Sequence, residues 1–224
     1  MPEFNKEITD KFFNQYKILE KIKETENEKY EYFYYRYKSL FEIFRTVRNN
    51  LAHNQVDGDY AVYVSSAVLD KLNQMIEKMT ENVANKMTPL SKLQVAYLNT
   101  SIKEIVEIYQ NYNYSVVPVL NKEKQVIAVI NEKSILSICS NLLKEHKEIN
   151  NLLVKDFLKE FDTNNNSKQY FLFKPRNELL YKTRLIFSEM RQDNKRCGAI
   201  FITENGKNNE KLLGILTHFD AFKE

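Results

Sequence analysis

The sequence predicts an α+β protein: an N-terminal all-α helical bundle, then two related helix–strand–turn–strand–helix units with pseudo-twofold symmetry. Three observations predict it. Apolar residues recur at steps of three and four up to about residue 80, the spacing of an amphipathic helix. Beyond Met87-Thr88-Pro89-Leu90 the pattern alternates between helical stretches and short apolar runs bounded by turn residues. The segment Leu212-Leu213-Gly214-Ile215-Leu216-Thr217-His218-Phe219-Asp220 repeats, in sharper form, a corner at Val126-Ile127-Ala128-Val129-Ile130-Asn131-Glu132-Lys133-Ser134, which marks an internal repeat.

The elements follow in order. Ile8, Phe12, Tyr16, Leu19 and Ile22 form one stripe of a first helix. A second helix is predicted from about Lys29, with Phe33, Tyr37, Leu40, Phe44, Val47 and Leu51 on a narrow seam suited to helix packing. It ends near residues 52–58, where Asn54, Asp57 and Gly58 supply turn chemistry. A third helix begins at Ser65 or Ser66 and carries Val68, Leu69, Leu72, Ile76 and Met79. These helices make a first domain, residues 1–85. The second domain, 90–224, starts with repeat one, about 90–143. There Asn99-Thr100-Ser101 caps a helix containing Ile102, Ile105, Val106 and Tyr109. A strand at 115–120, a polar hairpin at 121–125, a strand at 126–130 and a helix at 134–143 complete it. An amphipathic helix at 145–161 bridges to repeat two, about 168–224. That repeat has a strand at 170–173, a helix capped by Asn177 and running through Met190, strands at 197–203 and 212–216, and a last helix near Phe219.

Composition narrows the chemistry. Apolar content of 43% and charged content of 28% are those of a globular chain, and a net charge of +3 neither demonstrates nor opposes nucleic-acid binding. The four glycines, Gly58, Gly198, Gly206 and Gly214, are too dispersed for a Walker loop or dinucleotide fingerprint. Cys139 and Cys197 lack CxxC spacing, so neither a metal site nor a disulfide framework is expected, and a reducing cytoplasm fits. No apolar run approaches the ~20 residues of a membrane span, and Met1-Pro2-Glu3-Phe4-Asn5-Lys6 lacks a signal-peptide core. A cytoplasmic protein with no membrane partner is expected.

The second corner is suited to a nucleotide. A short strand enters Gly214, a hydroxyl follows at Thr217, and a carboxylate comes one turn later at Asp220. Backbone N–H groups and a hydroxyl at a helix start hold phosphate, and an acid one turn on accepts from two ribose hydroxyls. The alternative is that Thr217 and Asp220 only cap the last helix. In the first corner Ala128 replaces the glycine, Asn131 the threonine and Ser134 the acid. Ser134 is short and uncharged, so one occupied cleft, around repeat two, is expected.

On Ser115-Val116-Val117-Pro118-Val119-Leu120 with 128–134, and Ala199-Ile200-Phe201-Ile202 with 214–220, residues 90–224 resemble a tandem of cystathionine-β-synthase (CBS) domains. The resemblance implies an adenine nucleotide (AMP, ADP or ATP) as a regulatory ligand, with no cofactor required. It places Thr217 on phosphate and Asp220 on ribose beside Gly214. His218 and Lys195 or Arg196 would approach phosphates, and Phe173 or Ala199 would line the adenine pocket.

In the helical part, Arg48-Asn49-Asn50-Leu51-Ala52-His53 resembles the Arg-polar-x-x-x-His motif of HEPN domains, helical bundles found in ribonuclease toxins and RNA-processing enzymes. The resemblance implies a homodimer in which two motifs meet, with RNA as substrate and Arg48, Asn49 and His53 as the catalytic set. The chemistry is intelligible on its own terms. Metal-independent RNA cleavage needs a histidine to move a proton and a guanidinium to face the phosphorane-like transition state, while Asn49 orients either the histidine or a phosphate oxygen. Five residues separate Arg48 from His53, roughly 140° around a helix, so they share no face. A common site requires the helix to end between them, the arginine to reach around, or a second subunit to contribute. The alternative is a surface or interface cation at Arg48 and a helix C-cap at His53.

The remaining features read as structural. The cluster Tyr30, Tyr32, Phe33, Tyr34, Tyr35 and Tyr37 splits between core and seam, His146 is exposed between lysines, and Asp162-Thr163-Asn164-Asn165-Asn166 is a loop without calcium-site spacing. The leading expectation is therefore a nucleotide-gated ribonuclease, in which occupancy of the tandem assembles or splits a composite site. The alternative is a non-catalytic nucleotide sensor whose helical domain only dimerises or binds a partner.

Overall fold

The computed structural model describes residues 5–112, 114, 116–146, 148–149, 151–161, 169–189 and 195–223. Its contacts divide the chain into two units, Met1–Glu81 and Asn82–Glu224.

In the first unit, α1 (Lys6–Thr25) starts where the Asn5 side chain accepts from the Ile8 N–H at 2.9 Å, and it buries the predicted stripe from Ile8 to Ile22. The single helix expected from Lys29 to Leu51 is two, α2 (Asn27–Arg36) and α3 (Lys38–His53). The break falls at Tyr37, whose backbone leaves the helical region at φ −127°, ψ 36°. Its N–H still donates to the Phe33 carbonyl at 2.9 Å, while its own carbonyl accepts from Leu40 at 2.9 Å and restarts the ladder. The bend lets Phe41 meet Tyr30 and Tyr34 edge to face, with ring centroids 5.3 and 5.8 Å apart. Each such pair adds about 0.5–1.5 kcal/mol, comparable to the net worth of a backbone hydrogen bond. Aromatic packing thus overrides a periodicity that reads as continuous.

Where only a turn was expected, β1 (Gln55–Val56) and β2 (Asp59–Tyr60) form a small antiparallel hairpin. Asp57 and Gly58 both have positive φ, 52° and 79°, the backbone of a two-residue hairpin turn that matches strand twist. Then α4 (Ser66–Thr80), capped by Ser65, buries Leu69, Leu72, Met75 and Met79.

The second unit contains the two repeats. After β3 (Thr88–Pro89), repeat one runs β4 (Ala96–Tyr97), α5 (Ile102–Asn111), β5 (Val116–Leu120), β6 (Val126–Asn131), α6 (Glu132–Lys144). Repeat two runs β7 (Gln169–Pro175), α7 (Leu180–Ser188), β8 (Arg196–Thr203), β9 (Gly214–Leu216), α8 (His218–Phe222). In each, the first strand is parallel to the second and the second antiparallel to the third. One sheet has the order β4-β5-β6, the other β3-β9-β8-β7. Between the repeats lies an apolar layer of Val116, Leu120 and Val129 against Ala199, Phe201, Leu212 and Ile215. The helices of each repeat pack on the opposite face of their own sheet.

The segment entering each repeat bonds to the other. Asn82 bridges Leu179 and the Val83 N–H donates to the Glu178 carbonyl at 2.9 Å. Symmetrically, Leu153 bridges Ser101 and the Val154 N–H donates to the Thr100 carbonyl at 2.9 Å. Further on, β3 pairs with β9 of repeat two, and the Phe161 carbonyl accepts from Val129 of repeat one at 3.1 Å. This reciprocal exchange corrects the bridging helix expected at 145–161, since within the described part of it only a 3₁₀ turn, Val154–Phe157, is helical. Backbone groups that a helix would consume are used in crossing to the partner repeat.

Other corrections are local. Asn177 lies in a turn, and α7 begins after Leu179 with no side-chain cap. The last strand begins at Gly214 rather than Leu212. The predicted start at Ser115, the predicted end at Met190 and the loop 162–166 lie outside the described residues. Among the described residues, no helix is long and apolar enough to cross a membrane.

Candidate functional site

The two corners occupy equivalent places, with Ala128, Asn131 and Ser134 corresponding to Gly214, Thr217 and Asp220. At the first, the Asn131 side-chain oxygen accepts from the Ser134 N–H at 2.9 Å and Ser134 Oγ accepts from the Asn131 N–H at 3.1 Å. At the second, Thr217 Oγ1 accepts from the Asp220 N–H at 3.3 Å and Asp220 Oδ2 accepts from the Thr217 N–H at 3.0 Å. Both are reciprocal capping boxes. Each corner has a third bond of a different kind: the Ser134 hydroxyl donates to the Asn131 carbonyl at 2.8 Å, whereas the Thr217 hydroxyl donates to Asp220 Oδ2 at 2.6 Å, a charge-assisted contact that aims the carboxylate. Capping and ligand holding are compatible here, because Asp220 uses one carboxylate oxygen for both bonds.

Gly214 is explained by crowding. A Cβ there would lie 2.6 Å from the Thr88 carbonyl oxygen and 2.9 Å from Met87 Sδ. The glycine therefore admits β3 beside β9, and this close approach brings Met87 and Thr88 to the corner. Neither was singled out from sequence, because a two-residue strand has no periodicity to read.

The other expected ligand residues divide. Ala199 is fully buried and falls in register with Thr217, since Ile200 pairs with Leu216. Phe173 does not come to the corner; it lies on β7, which β8 separates from β9, and packs on Phe201 at 5.3 Å between centroids. His218 is exposed on α8, its ring 4.7 Å from Phe222 and 6.1 Å from Phe187. Arg196, also exposed, stands opposite Gln169, whose side-chain oxygen accepts from Asn131 at 3.5 Å. Arg196 and Gln169 thus border the first corner. With only 5 residues, α8 supplies little macrodipole, so any phosphate contact rests on side chains and loop N–H groups.

In the helical unit, α3 continues without interruption through His53. One of the three ways of joining Arg48 to His53, a helix end between them, is thereby removed. Arg48 faces α1, where its guanidinium pairs with Glu20 at 3.1 Å; it also donates to Asn49 at 3.4 Å. Its Nε is buried without a hydrogen-bond partner. His53 is exposed at the helix C-terminus, where a cation is favoured.

A domain of unknown function from Neisseria meningitidis MC58 is 17% identical, with a TM-score of 0.50 over 83% of this chain and 99% of that one. CBSX2, a CBS-pair protein of Arabidopsis thaliana, is 19% identical over 62% of this chain and 90% of that one, TM-score 0.45. The structure of CBSX2 in complex with AMP is 20% identical over 62% and 92%, TM-score 0.44. No curated protein matches the chain. The CBS domain family matches residues 74–141, which span the whole of repeat one up to α6 and reach back into α4. The chain carries a CBS domain over residues 74–141.

Proposed function

We propose that residues 82–224 act as a CBS pair that binds one adenine nucleotide at the second corner, making the chain a nucleotide-responsive regulatory protein. The observation that carries this reading is the Thr217–Asp220 pair. A partly buried carboxylate is fixed by its neighbour's hydroxyl and backbone, next to a strand crossing that only glycine admits. Thr217 contacts phosphate and Asp220 accepts from the ribose hydroxyls, as the CBS resemblance implies. The first corner lacks a carboxylate, and its Ser134 hydroxyl is committed to the Asn131 carbonyl at 2.8 Å.

Calorimetric titration of AMP tests it. Asp220→Ala is expected to weaken binding about 10- to 100-fold, the worth of one or two hydrogen bonds to a charged group, and Ser134→Ala to change it less than about threefold. Equal losses in the two variants would refute single-site binding, and unchanged affinity in Asp220→Ala would refute the assignment.

A second reading rests on the Arg48–Asn49 contact and the exposed His53: the helical unit is a metal-independent endoribonuclease in a homodimer. Since Arg48 is engaged by Glu20 of its own chain, the second copy has to supply the group that meets His53. RNA cleavage in chelator, reduced about 10²- to 10⁴-fold by His53→Ala, is the expected result if His53 is an acid or base. Undiminished cleavage by that variant removes His53 from the chemistry, and no cleavage by the wild type leaves the non-catalytic sensor.

A further inference from the structure

A cleft of about 450 Å³ opens at the upstream end of β9, away from the Thr217–Asp220 corner. Its wall includes Leu90 and Leu213, with Ser91 and Tyr97 alongside and Lys124 and Lys211 at the rim. Leu213 precedes β9 and Thr217 follows it, and four residues of extended chain span about 13 Å, so the two places are distinct.

The lysines are brought together by the meeting of the two hairpin turns. The Leu212 N–H donates to the Lys124 carbonyl at 2.9 Å, and Gln125 Nε2 donates to the Asn209 carbonyl at 2.6 Å. Lys124 sits in the left-handed region at φ 62°, a conformation uncommon for a non-glycine residue. Among the described residues neither ammonium makes an ion pair. Glu210, the acid nearest Lys211 in sequence, is turned away to the Asn205 side chain and to the N–H groups of Asn205 and Lys207. Two like charges thus line one apolar cleft, carried on hairpin turns that hydrogen-bond to each other, at a place where folding alone gains nothing from their charge.

We propose that this cleft binds a small amphiphilic organic anion. Its carboxylate, sulfonate or phosphate lies between Lys124 and Lys211, and its apolar body rests on Leu90, Leu213 and the exposed ring of Tyr97. The test uses the dye 8-anilinonaphthalene-1-sulfonate. Wild type is expected to bind it saturably at one per chain, more weakly as salt rises. The double variant Lys124→Glu/Lys211→Glu binds at least about tenfold more weakly, while Lys124→Arg/Lys211→Arg retains binding. Asp220→Ala leaves dye binding intact, and the charge-reversed variant keeps its response to AMP, so failure here is separable from failure of the nucleotide reading. In wild type the dye also slows acetylation of Lys124 and Lys211 by an amine reagent, read by peptide mass spectrometry. Equal dye affinity in the charge-reversed variant, or unchanged acetylation of both lysines, overturns the proposal.

Discussion

Repeat one and repeat two close their third strand with the same backbone device and different side-chain chemistry. In repeat one the capping box is made by an amide and a hydroxyl, with a methyl at Ala128. In repeat two it is made by a hydroxyl and a carboxylate, with a glycine at position 214. Capping alone is satisfied by either pair, so the extra charge and the missing methyl of repeat two need a separate reason. The missing methyl has one in packing: β3 crosses beside β9 so closely that a Cβ would meet the Thr88 carbonyl at 2.6 Å. The charge has none in packing, and the proposed nucleotide site at the second corner rests on that asymmetry.

The largest effect expected from breaking this asymmetry is at the glycine. Gly214→Ala forces a methyl against backbone that the β3–β9 ladder holds in place, an overpacking cost of about 3 kcal/mol. The reverse exchange, Ala128→Gly, costs about 1 kcal/mol, the strand penalty of glycine without a steric term. Urea unfolding of the two variants measures both. Similar shifts in midpoint would mean that the crossing of β3 is not what requires glycine.

A smaller difference separates the two repeat helices. Tyr109 of α5 and Phe187 of α7 hold equivalent places, but only the tyrosine reaches a strand, its hydroxyl donating to the Ile130 carbonyl at 2.9 Å. Burial, reinforced by the charge of Glu132, pushes the Tyr109 phenol well above its ordinary range. A raised value in the folded state means that the neutral form is the one folding favours. Its contribution is complete below the unfolded value of about 10 and is lost as pH rises beyond it. Tyr109→Phe, which makes repeat one resemble repeat two, is expected to cost about 1 kcal/mol at neutral pH and to flatten the alkaline loss of stability. An unaltered alkaline limb would place that loss elsewhere.

How much of this was legible in the sequence follows the range over which each feature is specified. The stripe from Ile8 to Ile22, the Ser101 cap and the paired corners are local, and they form where the residues indicate. The break at Tyr37 was not legible, since the seam of Phe33, Tyr37 and Phe44 runs through it and only the tertiary meeting of Phe41 with Tyr30 and Tyr34 decides it. Nor was the crossing of Leu153 to Ser101, which uses the backbone of a segment whose side chains are spaced for a helix. The site was legible in part. Gly214, Thr217 and Asp220 come together with Ala199, while Phe173 and Arg196 were assigned by analogy and stand elsewhere. Met87 and Thr88 were hidden because their proximity depends on exchange between repeats.

The smallest expected effect distinguishes the two hairpin turns. Repeat one closes its turn with neutral groups, Asn121 Nδ2 donating to Gln125 Oε1 at 2.7 Å and Asn121 Oδ1 accepting from the Gln125 N–H at 2.8 Å. Repeat two uses a carboxylate: Glu210 accepts from the Asn205 side chain and backbone at 2.8 Å each. Those donors, the Asn205 amide first, hold the Glu210 carboxyl at about 2. A depressed value in the folded state means that the ionised form is favoured by folding, so the contribution is complete above the unfolded value of about 4.3 and is lost as pH falls toward 2. Because Glu210 lies at the surface, only partly covered, solvent screening keeps the effect small. Thermal unfolding followed between pH 2 and 5 should show wild type losing its margin over Glu210→Gln in that window. The corresponding exchange in repeat one, Gln125→Glu, should introduce an acid-sensitive step where none exists, since the new carboxylate would accept from Asn121 as Glu210 does from Asn205. If both turns proved equally indifferent to acid, the carboxylate of repeat two would be a surface charge only, and the two hairpins would differ in composition without differing in mechanics.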